Sequence, residues 1–68
     1  MSERRVIPPA SDTYLTVNEV AAVLKISRWK VYGLLRSGEL DSFLVGRCRR
    51  VPASALAEMI QRLIRDAA

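Results

Sequence analysis

The chain has 68 residues, half of them apolar, which suffices for one small domain but rarely for the walls of a catalytic pocket, so we expect neither an enzyme nor a cofactor. One cysteine and no histidine exclude an internal disulfide and a metal site of neighbouring ligands, and no apolar run reaches the roughly 20 residues that cross a membrane. The net charge of +4 favours a polyanionic partner.

The N-terminal segment, residues 1–13, is polar and contains Pro8-Pro9, so we expect a flexible arm before a domain at 14–68. Two roles stay open for this arm: Arg4 and Arg5 follow a DNA backbone, or the segment is a disordered end. It has no apolar core like that of a secretory signal, so a cytoplasmic protein is expected.

A first helix is predicted to start at Thr16, because Thr16 and Glu19 have the spacing of a capping box. Helix N-termini attract anions, so Thr16 is also a candidate phosphate contact. Apolar residues then recur at the spacing of one helical face, which predicts an amphipathic helix. These residues are Val17, Val20, Ala21 and Leu24.

A second helix is predicted after a tight turn, with Ser27 as its N-cap and Gly38 as its left-handed C-terminal residue. Its buried side would be Val31, Leu34 and Leu35, whereas its outer side carries cations and a tryptophan. Two short helices joined in this way predict a helix-turn-helix, whose second helix enters the DNA major groove. The candidate DNA-binding residues of this helix are Ser27, Arg28, Trp29, Lys30, Tyr32, Gly33 and Arg36.

The first turn of this helix is the part that meets base edges in such motifs. We expect Arg28 to read a base, since a guanidinium can bind guanine through two hydrogen bonds, and Lys30 to contact a base or a phosphate. Tyr32 and Arg36 are placed for phosphates. Two alternatives stay open: Trp29 caps the core, and Tyr32 is partly buried without direct contact.

A β-hairpin, or wing, is predicted around Gly46, because strand-forming residues lie on both sides of it. Phe43, Val45 and Val51 are expected to face the core, and Leu44 and the arginines to face outward. Residues 25–50 hold seven cations against two acids, although the wing arginines could also form a merely solvated face. The candidate DNA-binding residues of the wing are Gly46, Arg47, Cys48, Arg49 and Arg50.

A last helix is predicted from after Pro52 to about Ala67, with an apolar stripe along one side. The fold class is therefore mainly α with a small β-hairpin: three helices plus a wing. The far end of the stripe either adds to the core or binds a protein. The candidate protein contacts are Leu44, Leu63, Ile64 and Ala67.

From Tyr14 to Leu56 the sequence YLTVNEVAAVLKISRWKVYGLLRSGELDSFLVGRCRRVPASAL resembles the small winged-helix proteins of the excisionase and MerR-like type. The segments Leu24–Ser27, Ser37–Leu40 and Val45–Arg47 are among those that carry the resemblance, in order and at the expected spacing. It implies a winged helix-turn-helix whose second helix reads the major groove and whose wing contacts backbone or minor groove. Gly33, Cys48 and Leu44 depart from the usual family residues, which are longer, basic or charged.

The resemblance implies a phage- or plasmid-type excisionase, a recombination directionality factor that bends DNA and directs an integrase towards excision. The expected partners are double-stranded DNA, a site-specific integrase and other copies on DNA, but no membrane. If phage-encoded, it would act in the host cytoplasm or nucleoid. A small transcriptional regulator of the same fold is the main alternative, and a protein-interaction module without a DNA role is the lesser one.

Overall fold

A computed structural model describes residues 13–67 of the chain. Its elements are β1 (Tyr14–Leu15), α1 (Val17–Leu24), α2 (Arg28–Ser37), β2 (Phe43–Val45), β3 (Cys48–Pro52) and α3 (Ala53–Ala67). Three helices and a hairpin confirm the predicted fold class. The predicted N-terminal arm lies outside the described residues apart from Thr13, whose carbonyl oxygen accepts a 2.7 Å hydrogen bond from the Ala53 N–H.

The caps of α1 and α2 form as predicted. The Thr16 hydroxyl accepts a hydrogen bond from the Glu19 N–H at 3.0 Å, and the Glu19 carboxylate accepts one from the Thr16 N–H at 2.8 Å. Ser27 accepts from the Lys30 N–H at 3.2 Å and caps α2. Gly38 ends α2 in the left-handed region at φ 84°, as expected for a glycine cap.

The sheet has three strands in the order β1-β3-β2, so β3 lies in the centre. Both neighbours of β3 are antiparallel to it, and Leu15 of β1 pairs with Val51. The strand β1 was not predicted, because two residues are too few to show an alternating pattern. It places the start of α1 directly beside the base of the wing.

The core lies between α1, α2, α3 and the inner side of β3. Leu40, in the loop after α2, was missed as a core residue. Its N–H donates to the Leu34 carbonyl at 3.2 Å, which folds the loop back under the helix. The buried residues are Val17, Val20, Ala21, Val31, Leu40, Val51, Leu56 and Met59.

The predicted core positions Phe43 and Val45 were wrong, since 40% and 60% of their surfaces are exposed. The two-residue turn pairs Val45 with Cys48 and Phe43 with Arg50. Because side chains alternate along β3, Val51 then lies on the opposite face of the sheet from Phe43. Phe43 instead packs edge-on against the ring of Tyr14, with ring centroids 5.4 Å apart.

Helix α3 packs its first half into the core through Leu56 and Met59, whereas residues 61–67 are exposed. The Arg62 guanidinium donates a 2.7 Å hydrogen bond to the Glu39 carbonyl and so links α3 to the loop after α2. Within residues 13–67, none of the helices is long and apolar enough to cross a membrane.

Candidate nucleic-acid interface

The outer side of α2, which the sequence predicts to bind DNA, is exposed to solvent. Arg28, Trp29, Lys30 and Arg36 are all exposed. Trp29 has 76% of its surface exposed and therefore does not cap the core. Tyr32 is half-buried and packs against the core.

An open groove brings together the N-terminus of α1, one side of α2 and the wing. It contains four arginines, one from α2 and three from the wing, and none of its lining residues is acidic. Such a concentration of cations beside a helix N-terminus attracts an anion. The lining residues are Thr16, Val17, Asn18, Arg28, Tyr32, Leu44, Arg47, Arg49 and Arg50.

Neighbouring groups hold two of these arginines in place. The Arg49 guanidinium donates to the Ser42 hydroxyl, and the Arg50 guanidinium donates to the Arg49 carbonyl at 2.9 Å. Both side chains are half-buried, so their stems pack while their charges stay near the surface. Arg47 is exposed at the hairpin turn, next to Gly46 with its φ of 62°. Within residues 13–67, hydrogen bonds thus support two arginines of the wing, Arg49 and Arg50, and a third arginine, Arg47, is exposed at its tip.

The N-terminus of α1 adds backbone donors to this groove. The capping box uses the N–H groups of Thr16 and Glu19. The N–H groups of Val17 and Asn18 belong to the first helical turn, where no carbonyl of the helix can accept from them. The sequence prediction included Thr16 as a phosphate contact but did not include Asn18, which also lines the groove. A polar residue in the exposed first turn of α1 could have indicated this position.

Apart from Ser27, which caps α2, the remaining predicted residues of this helix line a different, largely apolar groove between α2 and α3, with a volume of about 590 Å³. Trp29, Lys30, Gly33 and Arg36 line one wall, and Leu63 lies in the α3 wall. The Arg36 guanidinium sits 5.7 Å from the centroid of the Trp29 ring. The predicted recognition residues of α2 thus line two grooves, and Arg36 also lies beside Tyr32 and the wing residue Arg49.

The predicted protein contacts lie in separate places. Leu44 belongs to the groove beside the wing, whereas Leu63 belongs to the apolar groove. Ile64 has 61% of its surface exposed, and Ala67 is also exposed at the end of α3. Cys48 is an exposed free thiol beside Arg47. Among residues 13–67 no cluster of three or more metal-ligating side chains is found.

Two short helices joined by a tight turn, followed by a β-hairpin and a packed third helix, define a winged helix-turn-helix protein. The family model described as "Helix-turn-helix domain" matches residues 14–63, and the chain belongs to that family. No solved structure shows a significant match to it.

Two curated relatives carry excisionase names. A Saccharopolyspora erythraea protein named "Probable excisionase" is 46% identical over 50 residues, which cover 74% of this chain and 51% of that protein. An "Excisionase" of Streptomyces ambofaciens is 45% identical over 53 residues, covering 78% of this chain and 86% of the relative. The chain thus spans only about half the length of the first relative. These matches confirm the resemblance to excisionase-type helix-turn-helix proteins.

Proposed function

We propose that this protein binds double-stranded DNA as an excisionase, recognising repeated sites near an attachment site. The observation that carries the proposal is the groove in which α1, α2 and the wing place four arginines and a helix N-terminus together. The excisionase names of two relatives support the same role. In this role the protein positions DNA for an integrase and performs no catalysis itself.

The contacts divide by the chemistry of each residue. Arg28 in the first turn of α2 enters the major groove and binds a guanine through two hydrogen bonds, which gives about 1–3 kcal/mol of discrimination. The wing residues Arg49 and Arg50 bind phosphates, and Arg47 at the tip reaches the adjacent minor groove. Thr16 and its neighbours offer backbone N–H groups to a phosphate at the start of α1.

Bending and partner contacts form the finer part of the proposal. A wing and a helix that contact DNA at two places favour a bent duplex, because bending allows more phosphate contacts. Leu63 and Ile64 on the exposed end of α3 would contact the integrase or another copy. With duplex DNA as its partner, the protein would act in the cytoplasm or nucleoid.

The experiment is the selection of binding sites from a random duplex library with the full chain. Tandem direct repeats filled cooperatively are the result expected for an excisionase whose copies follow one DNA. Inverted repeats would favour a symmetric dimer, and with it a transcriptional regulator of the same fold. Recovery of no sequence above background would contradict specific DNA binding.

A further inference from the structure

Arg28 and Tyr32 form a pair on the side of α2 that faces the wing. The residues are four apart, which places them on neighbouring turns of one helical face. The Arg28 guanidinium donates to the Tyr32 hydroxyl at 3.4 Å, and its central carbon lies 5.8 Å from the centre of the Tyr32 ring. One aromatic side chain thus meets this guanidinium both through its ring and through its oxygen.

The two side chains differ in freedom. Tyr32 is half-buried and packed against the core, so its position is set by the fold. Arg28 is exposed, and within residues 13–67 its guanidinium makes a hydrogen bond and a ring contact with Tyr32. A fixed ring therefore limits the directions available to a side chain that solvent alone would leave mobile.

We propose that Tyr32 is a positioning residue, which sets the orientation of Arg28 and determines the base preference of α2 through that arginine. We build this inference on the proposed DNA-binding function and add to it the source of specificity. The guanidinium has five N–H donors, so one hydrogen bond to Tyr32 leaves enough for a two-point contact with guanine. Ordering the side chain before binding removes part of its entropy cost, worth about two- to tenfold in affinity.

The Trp29–Arg36 pair provides an internal comparison. It has a similar distance between guanidinium and ring, 5.7 Å, but both of its residues line the apolar groove between α2 and α3, and neither lines the groove that contains Arg28. Trp29 is also mostly exposed, so its ring is not fixed by the core. Of the two pairs, only Arg28–Tyr32 has a ring packed against the core and also lies in the groove formed by α1, α2 and the wing.

The test measures a specificity ratio: the Kd on a scrambled duplex divided by the Kd on a duplex recovered by the selection, at one salt concentration. Tyr32→Phe removes the hydrogen bond, and Tyr32→Leu also removes the aromatic ring. We expect the ratio to fall about two- to tenfold in Tyr32→Phe and further in Tyr32→Leu. The control variant Tyr14→Phe removes a tyrosine hydroxyl that lies outside this groove, and it should leave the ratio unchanged.

A double-mutant cycle distinguishes positioning from direct contact. In an Arg28→Ala background, Tyr32→Phe should have no further effect on the ratio. An equal effect in that background, or no effect in the wild-type background, would overturn the inference. A wild-type ratio of one would instead contradict the proposed function itself.

A readout without DNA completes the test. The ¹⁵N relaxation of the Arg28 Nε–H group should report higher order than that of Arg47 at the exposed wing tip, and this order should fall in Tyr32→Leu. Melting curves of each variant confirm that the fold is retained. An Arg28 side chain as mobile as Arg47 in the wild-type protein would contradict the inference.

Discussion

Leu40 lies outside every helix and strand, yet only 2% of its surface is exposed. The backbone reversal after Gly38 brings it beneath α2, where its N–H bonds to the Leu34 carbonyl. Periodicity identifies core residues within regular elements, and it has no information about a residue in a loop. The buried faces of α1 and α2 could therefore be predicted, whereas Leu40 could not.

Leu40→Ala should lower the free energy of unfolding by about 2–5 kcal/mol, because it opens a cavity in the core. A domain of this size has only about 3–10 kcal/mol of stability in total, so much of its stability would be lost. Urea denaturation followed by circular dichroism measures the change. The matched control Leu44→Ala removes the same atoms from an exposed site and should change stability by less than about 0.5 kcal/mol. Equal losses in both variants would contradict the assigned burial.

Lys25 ends α1 in the left-handed region at φ 59°, where a residue with a Cβ is strained. Lys25→Gly should therefore raise the free energy of unfolding by up to about 1 kcal/mol, net of the extra entropy of glycine in the unfolded chain. Thermal melting measures it. Lys25→Ala removes the same charge but keeps the strain, so a gain in both variants would assign the effect to charge.

At the scale of elements, the positions of the helices and the wing followed from caps, periodicity and Gly46. The face of the sheet on which each wing side chain lies could not be predicted in this way, because it depends on which residues of β2 and β3 pair. The turn fixes Val45 opposite Cys48, and one position of register reverses the face of every side chain. Because of the same alternation, Phe43 lies on the opposite face of the sheet from Val51, where it packs against Tyr14.

Helix α3 gives a prediction of its own, because its last turns are exposed while Arg62 holds its middle to the loop after α2. Truncation after Arg62 should leave the affinity for a single DNA site unchanged and should reduce cooperativity between sites or the response of the integrase. Gel-shift titration on one-site and two-site duplexes measures the affinity for a single site and the cooperativity between sites. The full-length Arg65→Ala variant serves as a control with an intact apolar stripe. Unchanged cooperativity together with a normal integrase response would contradict the interaction role of Leu63 and Ile64.

At the scale of the whole molecule, charge and fold act together. The concentration of cations in residues 25–50 was visible in the sequence, and it indicated a polyanionic partner. The sequence could not show that α2 lines two grooves, one shared with the wing and one shared with α3. That arrangement depends on the packing of α3 and on the three-stranded sheet, both of which join residues far apart in the chain.

The most direct test of the central claim is the salt dependence of affinity for a selected duplex. Neutralising about five phosphates predicts a slope of log K against log salt near −4.5, and Arg47→Ala should reduce its magnitude by about 0.9. Arg65→Ala, which changes the same charge on the exposed end of α3, should leave the slope unchanged. A slope near zero, or equal effects of the two substitutions, would contradict binding through the groove formed by α1, α2 and the wing.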